Sequence, residues 1–205
     1  LVSDGEQQTI DWTYDPGAAD LDWMNAGDTL TLTWVAQVND GSGNVGSQDL
    51  VITITGTNDV PTVAAIADVG FTEDADASAQ NLSASGTVNF DDIDLSDTVD
   101  VSVALAAPAV WSAGTIDAGL AALLEGGFSA SATNAAAPGS TAWDYSVNGA
   151  DLDFLDDGET ITLTFTITVD DVNGGIATED VTITITGTED ISSIVGSGIG
   201  GMLAA

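Results

Sequence analysis

Residues Thr160 to Val169 read TITLTFTITV, and their alternation decides the fold class. Ile161, Leu163, Phe165, Ile167 and Val169 recur at every second position, with Thr between them. Period two places all five apolar side chains on one face of an extended strand, and the β-branched Thr residues suit the opposite, wet face. Thr29 to Val38 and Val181 to Thr186 repeat the pattern. Between these runs lie NDGSGN (Asn39 to Asn44) and DVNGG (Asp171 to Gly175), which supply the turn residues a β-hairpin requires. The chain is therefore predicted to be all-β.

Moving outward, Trp12 to Asp59 aligns without a gap on Trp143 to Asp190, an offset of 131 residues, with 22 of the 48 aligned positions identical. Trp12 and Tyr14 match Trp143 and Tyr145. Asp20-Leu21-Asp22-Trp23 matches Asp151-Leu152-Asp153-Phe154, and ITITGT occurs in both copies. This is an internal repeat about the size of one β-sandwich domain. The predicted organisation is the C-terminal part of a first sandwich over residues 1–59, a complete second repeat over 60–190, and an apolar, Gly-rich tail over 191–205. The first part lacks its opening strands and should not close a core alone, because half a sandwich buries too little surface. Within the second repeat, residues 104–140 form an insert rich in Ala, Gly and Ser. A short helix is expected near Asp117 to Glu125, stopped by Gly126 and Gly127, acting as a lid on one end of the sandwich.

Composition narrows the chemistry. The 205 residues contain no Lys, Arg, His or Cys against 33 Asp and Glu, a formal charge of −33. No side-chain salt bridge can form, so every carboxylate must be solvated, hydrogen-bonded or paired with a bound cation. Mutual repulsion of these charges destabilises the compact state. Nucleic acid is excluded as a partner, since nothing here neutralises a phosphate, and anionic membrane surfaces are excluded on the same ground. With 44% apolar residues in short blocks, the chain can still bury a core. No run reaches the roughly 18 to 20 apolar residues of a membrane span. The start at Leu1, with neither Met nor signal peptide, is that expected of a mature or excised segment.

The carboxylates gather at strand ends: Asn58-Asp59, Glu73-Asp74-Asp76, Asp91-Asp92 with Asp94 and Asp97, Asp170-Asp171 with Asn173, and Glu189-Asp190. Calcium takes about six to eight oxygens from such groups and from loop carbonyls. Asp92-Ile93-Asp94 has the spacing of a two-ligand unit, with both carboxylates on one side and Ile93 expected to face the core. The plainer reading is that Asp and Asn are ordinary turn residues. For all the clusters together, in a chain without basic residues, metal binding is the preferred reading.

ITITGTNDVP (Ile52 to Pro61), FTEDAD (Phe71 to Asp76), NFDDIDLSDT (Asn89 to Thr98) and ADLDFLDDGET with TVDDVNGG (Ala150 to Gly175) resemble the VCBS and cadherin-like repeats of large bacterial RTX-type adhesins. The resemblance implies tandem Ig/cadherin-like antiparallel β-sandwiches, with calcium at the junctions between consecutive domains. Carried over by position, Asn58, Asp59, Asp92, Asp94 and Asp171 would serve one junction, and Asp97, from the same cluster as Asp92 and Asp94, is a further candidate ligand. Glu73 would point to the other, near Glu189 and Asp190. The second linker departs from the pattern, reading GTED before Ile191 rather than GTND-x-P.

Three functional readings follow. The first is a secreted, non-enzymatic spacer or matrix element at a bacterial surface, stiffened by calcium and joined head to tail to neighbouring repeats or identical subunits. The second is a glycan- or surface-binding module using Trp12, Trp23, Trp34, Trp143 and Phe154, although the apolar phase and matched repeat positions of these aromatics favour core packing. The third is a filament subunit whose tail, ISSIVGSGIGGMLAA, completes the first sandwich of the next copy by strand donation. Catalysis is expected to be absent, because acid–base work would fall to carboxylates alone and these lie at repeated loop positions rather than around one cleft.

Overall fold

The structure, a computed structural model, describes residues 9–75, 79–95 and 97–190. The chain falls into two compact units, Leu1–Thr57 and Asn58–Ala205. The tail expected to donate a strand lies outside the described residues, as does Asp76.

The first unit is built on one hairpin, β1 (Thr29–Asn39) and β2 (Val45–Thr55), paired antiparallel with Leu30 opposite Ile54, Leu32 opposite Ile52 and Trp34 opposite Leu50. These residues share one face, as their period-two spacing requires. Beneath the hairpin, Met24 is the one fully buried side chain among the unit's described residues. Gly56 is forced there, because a β-carbon would fall 2.4 Å from the Asn25 carbonyl oxygen and 2.7 Å from Met24 Cβ.

The second unit is a β-sandwich. Its elements are β3 (Thr62–Val63), β4 (Val69–Thr72), β5 (Gln80–Asp91), β6 (Thr98–Trp111), α1 (Ala118–Glu125), β7 (Phe128–Ala130), β8 (Ala132–Ala136), β9 (Gly139–Ala150), β10 (Thr160–Asp170) and β11 (Ile176–Thr186). One sheet runs β4-β11-β10-β6-β8 and the other β3-β5-β9-β7. All neighbours are antiparallel except β4 and β11, which run parallel from Val69 opposite Ile183 to Thr72 opposite Thr186. Between the sheets, Ile161, Leu163, Phe165, Ile167 and Val169 of β10 meet Leu82, Val88, Phe90, Trp143, Tyr145 and Val147 in one apolar core.

Residues 104–140 are more regular than their composition suggests. The expected helix caps itself with Asp117, whose carboxylate accepts from the Gly119 and Leu120 amides, and its Leu124 is fully buried. Tyr145 donates its hydroxyl to the Leu124 carbonyl at 3.2 Å, and burial pushes that phenol up to about 12. The rest of the insert is not irregular: β6 runs on to Trp111, and β7 and β8 add edge strands to the two sheets. Phe128 and Ala130 are buried with exposed Ser129 between them, so Ala and Ser carry the alternation that larger residues carry elsewhere.

The two copies of the repeat build the same hairpin in the same register. Ile161, Leu163 and Phe165 face Ile185, Ile183 and Val181 as their counterparts do in β1 and β2. Their environments differ. Phe165 is 3% exposed in the sandwich, whereas Trp34, its counterpart, is 45% exposed. The core role expected of Trp12, Trp23 and Trp34 is therefore corrected: all three are exposed, because no described strand of the first unit covers them. Phe154 also lies at the surface, against Trp111 at a ring distance of 4.8 Å, and only Trp143 of the five is in the core.

Phe165→Ala should therefore cost about 3–5 kcal/mol of unfolding free energy. Trp34→Ala should cost well under half as much, since its ring is already half in water. Denaturant titration of both variants, followed by far-ultraviolet circular dichroism, checks the ratio.

Candidate functional site

The β10–β11 turn, the β5–β6 loop and the segment entering the second unit meet at one end of its sandwich. Asp171 organises the turn. Its Oδ1 accepts from the Asn173 amide at 2.7 Å and the Gly175 amide at 2.9 Å, and its Oδ2 accepts from Asn58 Nδ2 at 2.8 Å. A β-carbon on Gly175 would collide with Asp171 Oδ2 and crowd Pro61, so glycine is obligatory where the entering segment crosses the turn. The first repeat makes the same turn with Asp40, which accepts from the Ser42 and Asn44 amides. Shaping its own turn is thus a sufficient structural reason for Asp171.

The β5–β6 loop has no such sufficient reason. Asp94 Oδ2 accepts from the Asp59 amide at 2.8 Å, Asp92 Oδ1 accepts from the Asp94 amide at 3.0 Å, and Asp97 Oδ2 accepts from Asn173 Nδ2 at 2.9 Å. Asp92, Asp94, Asp97 and Asp171 are all buried. The orientation expected for Ile93 is reversed: its side chain is 53% exposed while the flanking carboxylates turn inward. They do so because the backbone amides that can satisfy them lie inside the loop cluster. Even so, Asp92 Oδ2, Asp94 Oδ1 and Asn58 Oδ1 are buried without any hydrogen-bond partner. An unpaired buried acceptor costs about 1–3 kcal/mol, and more for a charged one.

Electrostatics point the same way. Asp92 titrates above the usual carboxylate value, first through burial and then through the charges of Asp94, Asp97 and Asp171, although the Asp94 amide partly offsets these. For Asp171, burial is the largest single influence and acts upward. Hydrogen bonds from Asn58, Gly175, Asn173 and Gly174 together outweigh it and hold the carboxyl below its ordinary value. Among the described residues, no three carboxylates already stand close enough to clasp one ion. The arrangement is an open set of oxygens, not a closed cage.

The opposite end of the sandwich, some 11 residues along β10, holds a smaller set. Glu73 is 3% exposed. Its Oε2 accepts from the amide and hydroxyl of Thr188 at 2.9 and 3.1 Å, while Oε1 is buried without a partner. Asp153, at the surface, titrates upward, first through desolvation and then through the charges of Asp151, Asp190 and Glu73. Glu189 is exposed, with no described hydrogen bond into the set. Asp151 and Asp153 escaped the sequence-based ligand set, whereas Asn173 was named with the Asp170-Asp171 cluster and here holds Asp97. The repetition of Asp20-Leu21-Asp22 in Asp151-Leu152-Asp153 was the available signal.

Val172, beside Asp171, holds φ +56°, a left-handed conformation costly for a β-branched residue, and its counterpart Gly41 has φ +77°. No protein-family model matches the chain, and no curated protein matches it. Among solved structures, a PapD-like domain of human CEP192 is similar at 8% identity and TM-score 0.38, over 65% of this chain and 89% of that one. The cadherin-like domains 1 to 4 of zebrafish RET are similar at 10% identity and TM-score 0.29, over 78% of this chain and 34% of that one.

Val172→Gly should raise stability by about 1 kcal/mol, read from the denaturant midpoint, by removing left-handed strain. The acidic set also fixes a pH response in divalent-free buffer. Folded Asp92 takes up its proton at higher pH than the unfolded chain, so stability rises as pH falls from neutral toward the ordinary carboxylate value of about 3.9. Asp171 has the opposite sign: its contribution is complete above the unfolded value and is lost as pH falls through its lower folded value. Thermal melts across this range should show a rise followed by a fall, and Asp92→Asn should flatten the rise.

Proposed function

We propose that this chain is a structural repeat module, an extender or matrix element outside a bacterial cell, stabilised by calcium. The observation that carries the reading is the set of buried, unpartnered oxygens, Asp92 Oδ2, Asp94 Oδ1 and Asn58 Oδ1, in a chain with no basic side chain. Oxygen donors of this kind suit a hard cation, and calcium tolerates the irregular, six- to eight-fold coordination that an open loop cluster offers. Asp92 and Asp94 would bind through their orphaned oxygens and Asn58 through its amide oxygen. Asp97 and Asp171 would hold Asn173 and the turn in place and add negative charge. Asp59 supplies the amide that orients Asp94. At the other end, the unpartnered Glu73 Oε1 with Asp153 and Asp190 forms a second, sparser candidate. Glu189 would reach it only by reorienting.

Calcium would cancel the mutual repulsion of these groups and tie the entering segment to the β5–β6 loop and the β10–β11 turn. Nothing in this reading calls for catalysis. The resemblance of GTNDVP and NFDDIDLSDT to bacterial adhesin repeats supports the extracellular setting. Among the described residues, no helix is long and apolar enough to cross a membrane.

Thermal melts in EDTA, in millimolar calcium, in magnesium and in sodium chloride of matched ionic strength test the reading. Calcium at about 100 times its dissociation constant adds roughly 2.7 kcal/mol, a shift of several degrees, and should exceed the effect of either other salt. Asp94→Asn should remove most of that increment while leaving the EDTA melt as high or higher. Equal responses to all salts would mean charge screening alone.

A further inference from the structure

We propose that the outer edge of β6, over residues 102–108, is where two copies of this chain meet side to side, each continuing the other's sheet. The pairing involves only the second unit and needs no calcium.

On one side β6 pairs with β10 from Asp100 opposite Asp170 to Trp111 opposite Ile161. On its other side β8 pairs with it only from Thr98 to Val101. The residues just before β8 belong to the other sheet as β7, so no described strand flanks β6 beyond Val101. The core-side residues of β6 record the loss in order. Val99 and Val101 are 0% and 3% exposed, Val103 is half-buried, and Leu105 is 40% exposed although its partner Phe165 is in the core. Ala104, Ala106, Ala107 and Pro108 are exposed as well. Past Pro108 the edge is closed by a side chain, with Glu125 of α1 accepting from the Ala109 amide at 3.0 Å. What stays open is a short run of main-chain donors and acceptors on alternate residues, the template that strand addition uses.

Charge decides what docks there. Residues 101–143, about a fifth of the chain, hold two of its 33 carboxylates. Asp117 is engaged in capping α1 and Glu125 in holding the Ala109 amide. Edge strands are commonly blunted by charge, yet none lies between Asp100 and Asp117. Pro108 is the one blunting residue, and it stands at the end of the open run. Two copies at −33 repel each other over most of their surfaces, and this edge is where that repulsion is least. A two-fold axis through the edge sets it antiparallel against itself and brings both copies of Leu105 out of water. The edge is its own complement, so the occupant is a second copy. So short a ladder makes a small interface, which should tighten as salt screens the remaining charge.

Sedimentation equilibrium of the full chain in EDTA, with sodium chloride raised from about 0.1 M to about 1 M, tests the pairing. The expected result is a reversible monomer–dimer equilibrium that tightens with salt. Ala104→Asp sets two carboxylates against each other at the edge and should weaken the dimer about tenfold or more. Gly70→Asp is the control. It adds the same charge on β4, at the far edge of the same sheet, where a β-carbon meets nothing within 4 Å, and should leave the dimer unchanged. Because the chain has no cysteine, at least one of Ala104→Cys and Ala106→Cys should cross-link two copies on oxidation, whereas Gly70→Cys should not. A chain that stays monomeric at the highest salt overturns the proposal. So does a dimer that Ala104→Asp leaves intact or that both Asp variants weaken equally, and so does the absence of cross-linking through both β6 cysteines.

Discussion

A carboxylate in this protein can never meet a side-chain cation, and the loops are arranged around that constraint. Asp171, Asp40, Asp94 and Glu73 each turn to backbone amides, and Asp171 and Asp97 to the side-chain amides of Asn58 and Asn173. Amide donors satisfy an acceptor without neutralising it, so charge accumulates wherever such loops converge. The repulsion felt by Asp92 and the unpartnered oxygens around it are the residue of a folding problem that hydrogen bonds alone leave unfinished. A bound cation would finish it with no new residue, which is why the acidity and the proposed ion belong to one account.

Much of the fold was legible because its strongest signals are local. Period-two Thr alternation located both hairpins, and the NDGSGN and DVNGG clusters located their turns. The 131-residue offset showed that the two hairpins are copies. The strands β7 and β8 were not legible, because Ala and Ser carry little β-propensity and are recruited by the neighbouring β6 and β9. The inward turn of Asp92 and Asp94 was missed for a related reason. Alternation alone assigned Ile93 to the core, whereas the loop follows its hydrogen bonds. Asn173 was visible as part of its turn cluster, but its bond to Asp97, 76 residues away, was not.

The aromatic residues show how far a sequence match can mislead about environment. Trp34 and Phe165 share strand, register and phase, yet one is half in water and the other in the core. The side chain does not decide this: Phe165 packs against Phe128 of β7 and Tyr145 of β9, and no described strand of the first unit supplies a counterpart of Phe128. Intrinsic patterning thus determines which way a residue faces, and only the neighbouring strands determine whether anything meets it.

The parallel pairing of β4 with β11 has a mechanical consequence. β4 lies near the start of the second unit, β11 at its end, and the two run side by side in the same direction from Val69 to Thr72 and Ile183 to Thr186. Tension applied through the two ends of this unit would draw these strands past one another lengthwise. Their hydrogen bonds would bear the load together in shear instead of unzipping singly. Resistance to such pulling depends on the rate of unfolding, not on equilibrium stability. A sandwich closed by this pair is suited to carrying force along its own chain.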